Sequence, residues 1–322
     1  MAMLISFIIP MYNAAQFIER LYATIRSQGL DDDDYEVVIV NDGSTDNSLA
    51  IAQRIAAEAS NVVVVNQPNA GQGAARNRGI AAASGTYLYF ADADDELYPG
   101  VLCQAVPTLK AADADIITFA GDEQSHCVEY SGVDYVATHN YNNGPWWYAV
   151  KKDFLTENNI LFEEGRYCED GMFTIMALLK ACTITAYNLK AYNYILRPNS
   201  TVTRRDNGHL LKMIDDFEYV IGYLSRLIDS VAVSAPPATT QRCTDRLRSY
   251  VFFLLARVMQ ARLPIKDVKA IYRRMQQQGL IPVKLSKKDY PGATFRMLNY
   301  CFSHRVLYLT ACGVYKTLRR GK

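Results

Sequence analysis

Over the first hundred residues, short continuous apolar runs alternate with amphipathic ones. Residues 4–9, 36–40, 62–65 and 87–90 are rich in Ile, Val, Leu, Tyr and Phe and carry few polar positions. Runs of that length and bias predict strands buried on both faces. Between them, residues 14–28 set Phe17, Ile18, Leu21 and Ile25 on one helical face, and 48–58 and 73–84 read as helices rich in small residues. Strand–helix alternation predicts an α/β fold, a mainly parallel, Rossmann-like sheet with helices on both faces. Residues 101–204 mix the two periods, with strands expected at 115–120, 183–186 and 191–196. Beyond Arg204 the chain turns helical: Leu210, Ile214, Phe217, Ile221, Leu224 and Ile228 keep amphipathic spacing, Pro236 and Pro237 interrupt it, and 245–261, 265–278 and 294–318 resume it. The expected organisation is 1–100, 101–204 and a helical region 205–322.

In open parallel sheets ligands bind beyond the carboxyl ends of the strands. Polar clusters at 10–13, 41–46, 66–77 and 92–95 follow the four strands, so four loops deliver polar residues to one rim. Asp92, Asp94 and Asp95 stand directly after the strand at 87–90. Clustered acids repel unless something positive sits among them, and hard divalent cations prefer carboxylate oxygens. An Asp-rich turn, helped by Tyr98-Pro99-Gly100, is the competing reading. Asn41-Asp42-Gly-Ser-Thr-Asp46 lies between a strand and a helix. There Asp42 can accept a hydrogen bond from a ligand, and Ser44 or Asp46 can cap the helix. Residues 69–77 combine glycines suited to close approach with Arg76, whose planar fork suits phosphate oxygens. As a dinucleotide fingerprint Gly71-x-Gly73 is weak, because the third glycine and the following acid are missing.

Composition narrows the classes. The formal charge of +1 hides an asymmetry: residues 282–322 hold nine Lys or Arg against Asp289 alone, +8, leaving −7 on the rest. A basic tail on an acidic body predicts an anionic partner for the tail, while the acidic rim speaks against nucleic acid. Seven cysteines without a CxxC pair, and scattered histidines, fit neither a disulfide framework nor a zinc site and suit a reducing cytosol. The apolar start lacks a basic flank and reads as a first strand; no stretch has the length of a membrane-spanning helix. The expected location is cytoplasmic, with contact at the inner face of the membrane left open.

Ile8-Ile-Pro-Met-Tyr-Asn13, Asn41-Asp-Gly-Ser-Thr-Asp46, residues 69–79 and Phe90–Asp95 together resemble, in order and spacing, the family-2 glycosyltransferases of GT-A fold. The resemblance is strong over 4–100, continues through Trp146-Trp147, Phe162-Glu-Glu-Gly165 and Glu169-Asp170 to Arg197-Pro-Asn-Ser200, and fades after Arg204. It implies inverting transfer of a sugar from a nucleotide diphosphate, UDP being the family's commonest nucleotide, to a glycan or lipid-linked glycan in surface-polysaccharide synthesis. By the same resemblance Pro10 and Tyr12 line the base, Asp42 bonds its polar edge, and Asn69 and Arg76 hold base or ribose-diphosphate. Asp92 and Ala93 contact the sugar nucleotide, and Asp94, helped by Asp92, ligates Mn²⁺ or Mg²⁺. Asn41 departs from relatives that carry a second Asp there.

Transfer also needs a carboxylate to take the acceptor's proton. Asp170 stands where the family places that base; a helix cap for the run 172–179 is the competing reading, and spacing cannot separate Asp170 from Glu169. Trp146-Trp147-Tyr148 offers Trp147 as a stacking platform for an acceptor sugar, or as core. Arg197 and Ser200 either reach the diphosphate or are structural. The 294–318 segment, apolar at near-helical spacing with basic residues between, suits an anionic membrane surface or a last packing helix. A helical third of this size also offers area for a homodimer. Two other function classes stand beside the transferase. One is a metal-dependent adhesion module, whose Asp-x-Ser-x-Ser loop the 42–46 segment approaches with Asp46 in place of the last serine. The other is an inactive relative that only binds a nucleotide sugar.

Overall fold

The computed structural model describes residues 3–111, 113–121, 127–196, 206–287 and 289–318. The chain divides into two compact units, Met1–Arg197 and Pro198–Lys322. The first unit opens with β1 (Ile5–Met11), α1 (Ile18–Arg26), β2 (Tyr35–Asp42), α2 (Ser48–Glu58), β3 (Val62–Gln67), α3 (Gln72–Ala82) and β4 (Tyr87–Phe90). Then come β5 (Glu96–Leu97), α4 (Leu102–Ala111), β6 (Ile116–Thr118), β7 (Val128–Tyr130), α5 (Gly132–Thr138) and a 3₁₀ turn Pro145–Trp147. It closes with β8 (Tyr148–Lys151), α6 (Lys152–Glu157), α7 (Glu169–Lys180), β9 (Ile184–Ala186) and β10 (Tyr192–Asn193).

One eight-stranded sheet has the order β3-β2-β1-β4-β8-β6-β9-β7. β1 pairs in parallel with β2 and β4, β2 with β3, and β6 with β9; β8 and β7 run against their neighbours. The period of two sorts β1 cleanly. Ile5, Phe7 and Ile9 meet Ile18, Leu21 and Ile25 of α1, Ala52 and Ile55 of α2 and Leu102 of α4 in one apolar cluster. On the other face, Phe90 packs edge-on against Phe162 and Phe173 at 5.2 and 5.7 Å, and Gly79 of α3 lies against Ile8 so closely that a Cβ there would strike it. Helices therefore cover both faces, as the unbroken burial of β1 and β2 requires. Each fully buried Ile, Val or Phe contributes roughly 1.5–3 kcal/mol.

The sequence pattern misses β8. It follows a Trp-Trp-Tyr run whose aromatic residues obscure its alternation, and it inserts antiparallel between β4 and β6. The strand expected at 191–196 shortens to β10, which pairs with β5 in a separate ladder, Tyr192 opposite Leu97.

The second unit holds α8 (Asn207–Val231), α9 (Pro237–Gln260), α10 (Ile265–Gln277), α11 (Ala293–Ser303) and α12 (Arg305–Leu318). α9 begins with Pro237 at its first turn, where a missing N–H costs nothing. The helix expected over 294–318 is two: His304 leaves the helical region at φ −111°, ψ 108°. The break resets the phase, so Phe302, Tyr308 and Cys312 become buried while Val306 and Val314 turn to solvent. Tyr308 stacks on Tyr272 at 5.3 Å and donates to the Leu255 carbonyl at 2.9 Å. No described helix is long and apolar enough to cross a membrane.

Candidate active site

The rim at the carboxyl ends of β1, β2 and β4 is knitted by short polar bonds. Asn13 accepts from the Thr45 amide at 2.8 Å and its own amide donates to Ser44 Oγ at 3.0 Å, tying the loops after β1 and β2. Asn13 holds φ 49°, a left-handed conformation that asparagine tolerates. Tyr12, beside it, is 52% exposed, whereas Pro10 is buried within β1.

Asp42 is 3% exposed and acts as a brace. Its Oδ1 accepts from Gln67 Nε2 and the Ala70 amide, both at 2.8 Å, and its Oδ2 from the Gly71 amide at 2.9 Å. Asn69 Nδ2 donates to the Asp42 carbonyl at 2.9 Å. Asp42 and Asn69 thus shape the turn into α3, and Gly71 at φ 92° is the residue that permits it. This carboxylate is engaged by the neighbouring turn between β3 and α3, which sets it apart from an open cation ligand of the adhesion-module kind.

At the end of β4, Asp92 Oδ1 accepts from Arg76 Nη2 and from Gln72 Nε2, each at 2.8 Å. Arg76 Nη1 donates to Glu169 Oε1 at 3.0 Å, and its guanidinium lies 5.1 Å from the Phe162 ring centre. Both Arg76 and Glu169 side chains are 3% exposed. Arg76 is therefore not an open grip for ribose or diphosphate, as the resemblance implies, but an internal strut from β4 to α7. The reason is burial: two carboxylates in low dielectric need a cation, and Arg76 supplies both bonds from one fork. Gly73 makes the approach possible, since a Cβ there would meet the Glu163 carbonyl oxygen at 2.8 Å and Glu169 Cγ at 3.1 Å.

Glu169 and Asp170 open α7, with the Cys168 side chain making no capping bond. Asp170 Oδ1 accepts from the Gly171 amide at 2.6 Å, and the residue keeps partial exposure. Burial raises the Asp170 carboxyl above its ordinary range, against the pull of Arg76. Burial and the neighbouring Asp170 raise Glu169 likewise. Between the two, Glu169 is committed to Arg76, and Asp170 is the carboxylate with access to the rim.

The third acid of the cluster turns away. Asp95 is 1% exposed and accepts from Tyr192 Oη and the Ile195 amide, both at 2.8 Å. Burial pushes its carboxyl up to about 7, with Asp92 and Asp94 adding to the rise against those bonds. It tethers the segment after β10 rather than joining Asp92 and Asp94 around an ion. Among the described residues, no three His, Cys, Asp or Glu side chains gather as a metal cage. Asp92 and Asp94, half-buried on either side of buried Ala93, do fit the other arrangement open to Mg²⁺ or Mn²⁺. There, one or two carboxylates share the ion with substrate phosphates.

Trp147 is 2% exposed, donates to the Asn142 carbonyl at 3.2 Å and stacks on Tyr135, so it is core and not an acceptor platform. Its neighbour Trp146 is only half-buried. Trp146 lies nearly parallel to Tyr192 at 4.8 Å and to Tyr194 at 5.8 Å, and Tyr194 is exposed. Tyr192 also accepts from the Asp92 amide at 2.9 Å. Gln72, Tyr192 and Tyr194 carried no site assignment from sequence, and Glu169 stood there only as the alternative to Asp170; the alternation of Tyr192 and Tyr194 was the available signal. Arg197 and Ser200 lie outside the described residues.

Comparison with known proteins bears on the family and the fold. The model of the family described as glycosyl transferase family 2 matches residues 6–176. The uncharacterised glycosyltransferase YibD of Escherichia coli is 30% identical over 220 residues, 62% of this chain and 63% of YibD. The poly(ribitol-phosphate) β-glucosyltransferase of Bacillus spizizenii is 30% identical over 244 residues, 72% of this chain and 37% of that one. The chain thus spans less than two thirds of these relatives. Staphylococcus aureus TarS 1–349 in complex with UDP-GlcNAc superposes with a TM-score of 0.58 at 18% identity, covering 99% of this chain and 93% of that one. The mannosyltransferase PcManGT of Pyrobaculum calidifontis, with GDP-Man and Mn²⁺, gives 0.53 at 18% identity, covering 99% and 88%. The fold is GT-A, and with a family model spanning more than half its length the chain belongs to glycosyl transferase family 2.

Proposed function

We propose that this chain is an inverting, metal-dependent glycosyltransferase. It moves a sugar from a nucleotide diphosphate, a UDP-sugar, to a hydroxyl of a glycan or lipid-linked glycan in surface-polysaccharide synthesis at the cytoplasmic face of the membrane. The observation that carries this reading is the Arg76 strut, which joins the Asp92–Asp94 loop to the start of α7 where Asp170 stands. Donor-binding and proton-accepting carboxylates are thereby held in one frame. UDP as the nucleotide draws support from TarS, solved with UDP-GlcNAc, and the cation from PcManGT, solved with Mn²⁺.

In this reading Tyr12 stacks on the base, backed by Pro10, and the turn braced by Asp42 and Asn69 shapes the nucleotide's bed. Asp94 and Asp92 would hold Mn²⁺ or Mg²⁺, and Ala93, between them, would face the sugar. The ion, when bound, neutralises charge on the departing diphosphate. Asp170 takes the proton from the acceptor hydroxyl as its oxygen bonds to the anomeric carbon and the bond to the diphosphate breaks. Attack opposite the leaving group inverts that carbon. The stack of half-buried Trp146 with exposed Tyr194, in place of Trp147, receives the acceptor. Arg197 and Ser200, outside the described residues, are assigned to the diphosphate by the family resemblance alone.

Calorimetry with UDP, GDP and dTDP, each with and without Mn²⁺, tests the assignment. Binding of one nucleotide, lost without metal and in Asp94→Ala, is the expected result. Metal-independent binding, or none, overturns it.

A further inference from the structure

The end of the second unit carries a face that the transfer chemistry does not use. α11 and α12 bury Phe302, Tyr308 and Cys312 against their unit, yet Met297 and Val306 are 66% and 76% exposed, and Tyr300, Leu307 and Val314 are exposed with them. Beside these lies a cleft of ≈ 300 Å³ whose walls include Lys287, Tyr290, Phe295, Arg296, Asn299 and Tyr300. It offers aromatic surface and two cations, and the buried Asn299 amide oxygen has no partner. The charge of this stretch of chain is one-sided: residues 282–322 contain nine Lys or Arg against Asp289 alone, and Lys284, Lys287, Arg296, Arg305 and Lys316 are among the described residues. That acid is already held by Arg242 Nη1 at 3.1 and 2.9 Å.

Exposed apolar residues amid unopposed cations fit an anionic, amphipathic surface. A second copy of the chain fits badly, because a two-fold interface would set this basic patch against itself. We propose that this face docks on a bilayer carrying anionic phospholipid, with one lipid phosphate seated between Lys287 and Arg296. Met297, Val306, Leu307 and Val314 dip into the headgroup boundary beside it, lying on the membrane without crossing it. The Asn299 oxygen receives a headgroup hydroxyl. This inference does not depend on the sugar-transfer reading of the first unit.

The test is sedimentation of the full chain with phosphatidylcholine vesicles, with and without phosphatidylglycerol, across a range of salt. Binding is expected only with phosphatidylglycerol, and weakening as salt rises. Lys287→Gln and Arg296→Gln should each weaken it roughly fivefold, the equivalent of about 1 kcal/mol per cation. Val306→Ser with Met297→Ser should weaken it while leaving the salt dependence unchanged. Nucleotide binding in solution should be unaltered in all these variants, which separates failure of this inference from failure of the transferase assignment. Equal binding to neutral and anionic vesicles, or binding to neither, overturns the proposal. So does a concentration-dependent dimer dissolved by Val306→Asp, which would make the face an interface between copies.

Discussion

Arg76→Met is the sharpest test of the strut. The variant keeps most of the side-chain volume and removes the charge shared by Asp92 and Glu169. The two carboxylates are not equally exposed to the loss. Asp92 retains Gln72 and has 22% of its side chain in solvent, so screening limits its contribution. Glu169 is 3% exposed and its Oε2 already lacks a partner, so wherever its carboxyl is ionised it is left as an uncompensated buried charge. Breaking a buried pair from one side costs about 3–5 kcal/mol. For a unit of this size that lowers Tm by roughly 6–20 °C. Arg76→Met/Glu169→Met removes both charges and should recover to within about 1–2 kcal/mol of the parent, because apolar replacement of a buried pair is often neutral.

The deficit also has a pH signature. Glu169 is already raised by burial and Asp170, and loss of Arg76 removes the main opposing pull and raises it further. A carboxyl whose folded value is raised contributes stability that is present below its unfolded value, near 4.3, and lost as pH rises through the folded value. Because burial and Asp170 push Glu169 up to about 8 in the parent, Arg76→Met should stay close to the parent below that value and fall behind as pH rises through it. Thermal unfolding of the parent, the single and the double variant across pH reads all of this. A single variant within about 1 kcal/mol of the parent at about pH 9, where Glu169 is ionised in the parent, with no recovery in the double, would refute the strut.

Other predictions follow from the same geometry. Asp170→Asn should keep nucleotide binding and lose transfer by about 10²–10⁴-fold in kcat. Because burial raises the Asp170 carboxyl, the acidic limb of the parent's rate profile should lie above the ordinary aspartate value near 3.9. Trp147→Ala should cost about 3–5 kcal/mol in urea unfolding. Tyr194→Ala should leave stability within about 0.5 kcal/mol and raise the acceptor KM. Gly79→Ala drives a methyl into Ile8 and should cost about 1–3 kcal/mol, read as a shifted urea midpoint with an unchanged slope.

What could be read from the sequence divides along a physical line. Strands buried on both faces announce themselves, because continuous Ile and Val runs have few other uses; β1, β2 and β4 were legible for that reason, whereas β3 was found by its valine run although it is the sheet edge and Val63 is exposed. β8 was not, since it pairs antiparallel with strands 58 and 32 positions away counted from Tyr148 to Phe90 and Ile116, and only tertiary pairing defines it. The site shows the same split. Which residues carry charge at the rim is local and readable, but which of two adjacent acids faces inward is not. Glu169 and Asp170 differ by one position on α7, a rotation that only Arg76, 93 residues earlier, decides. The exchange of Trp147 for Trp146 has the same origin: the 3₁₀ turn puts one indole against Tyr135 and the other beside Tyr192 and Tyr194. Asp95 shows the converse, a charge that looks chemical in sequence but is absorbed by a tyrosine and an amide about a hundred residues on. Residue type proposes the chemistry at this rim, and long-range partners assign each carboxylate its work.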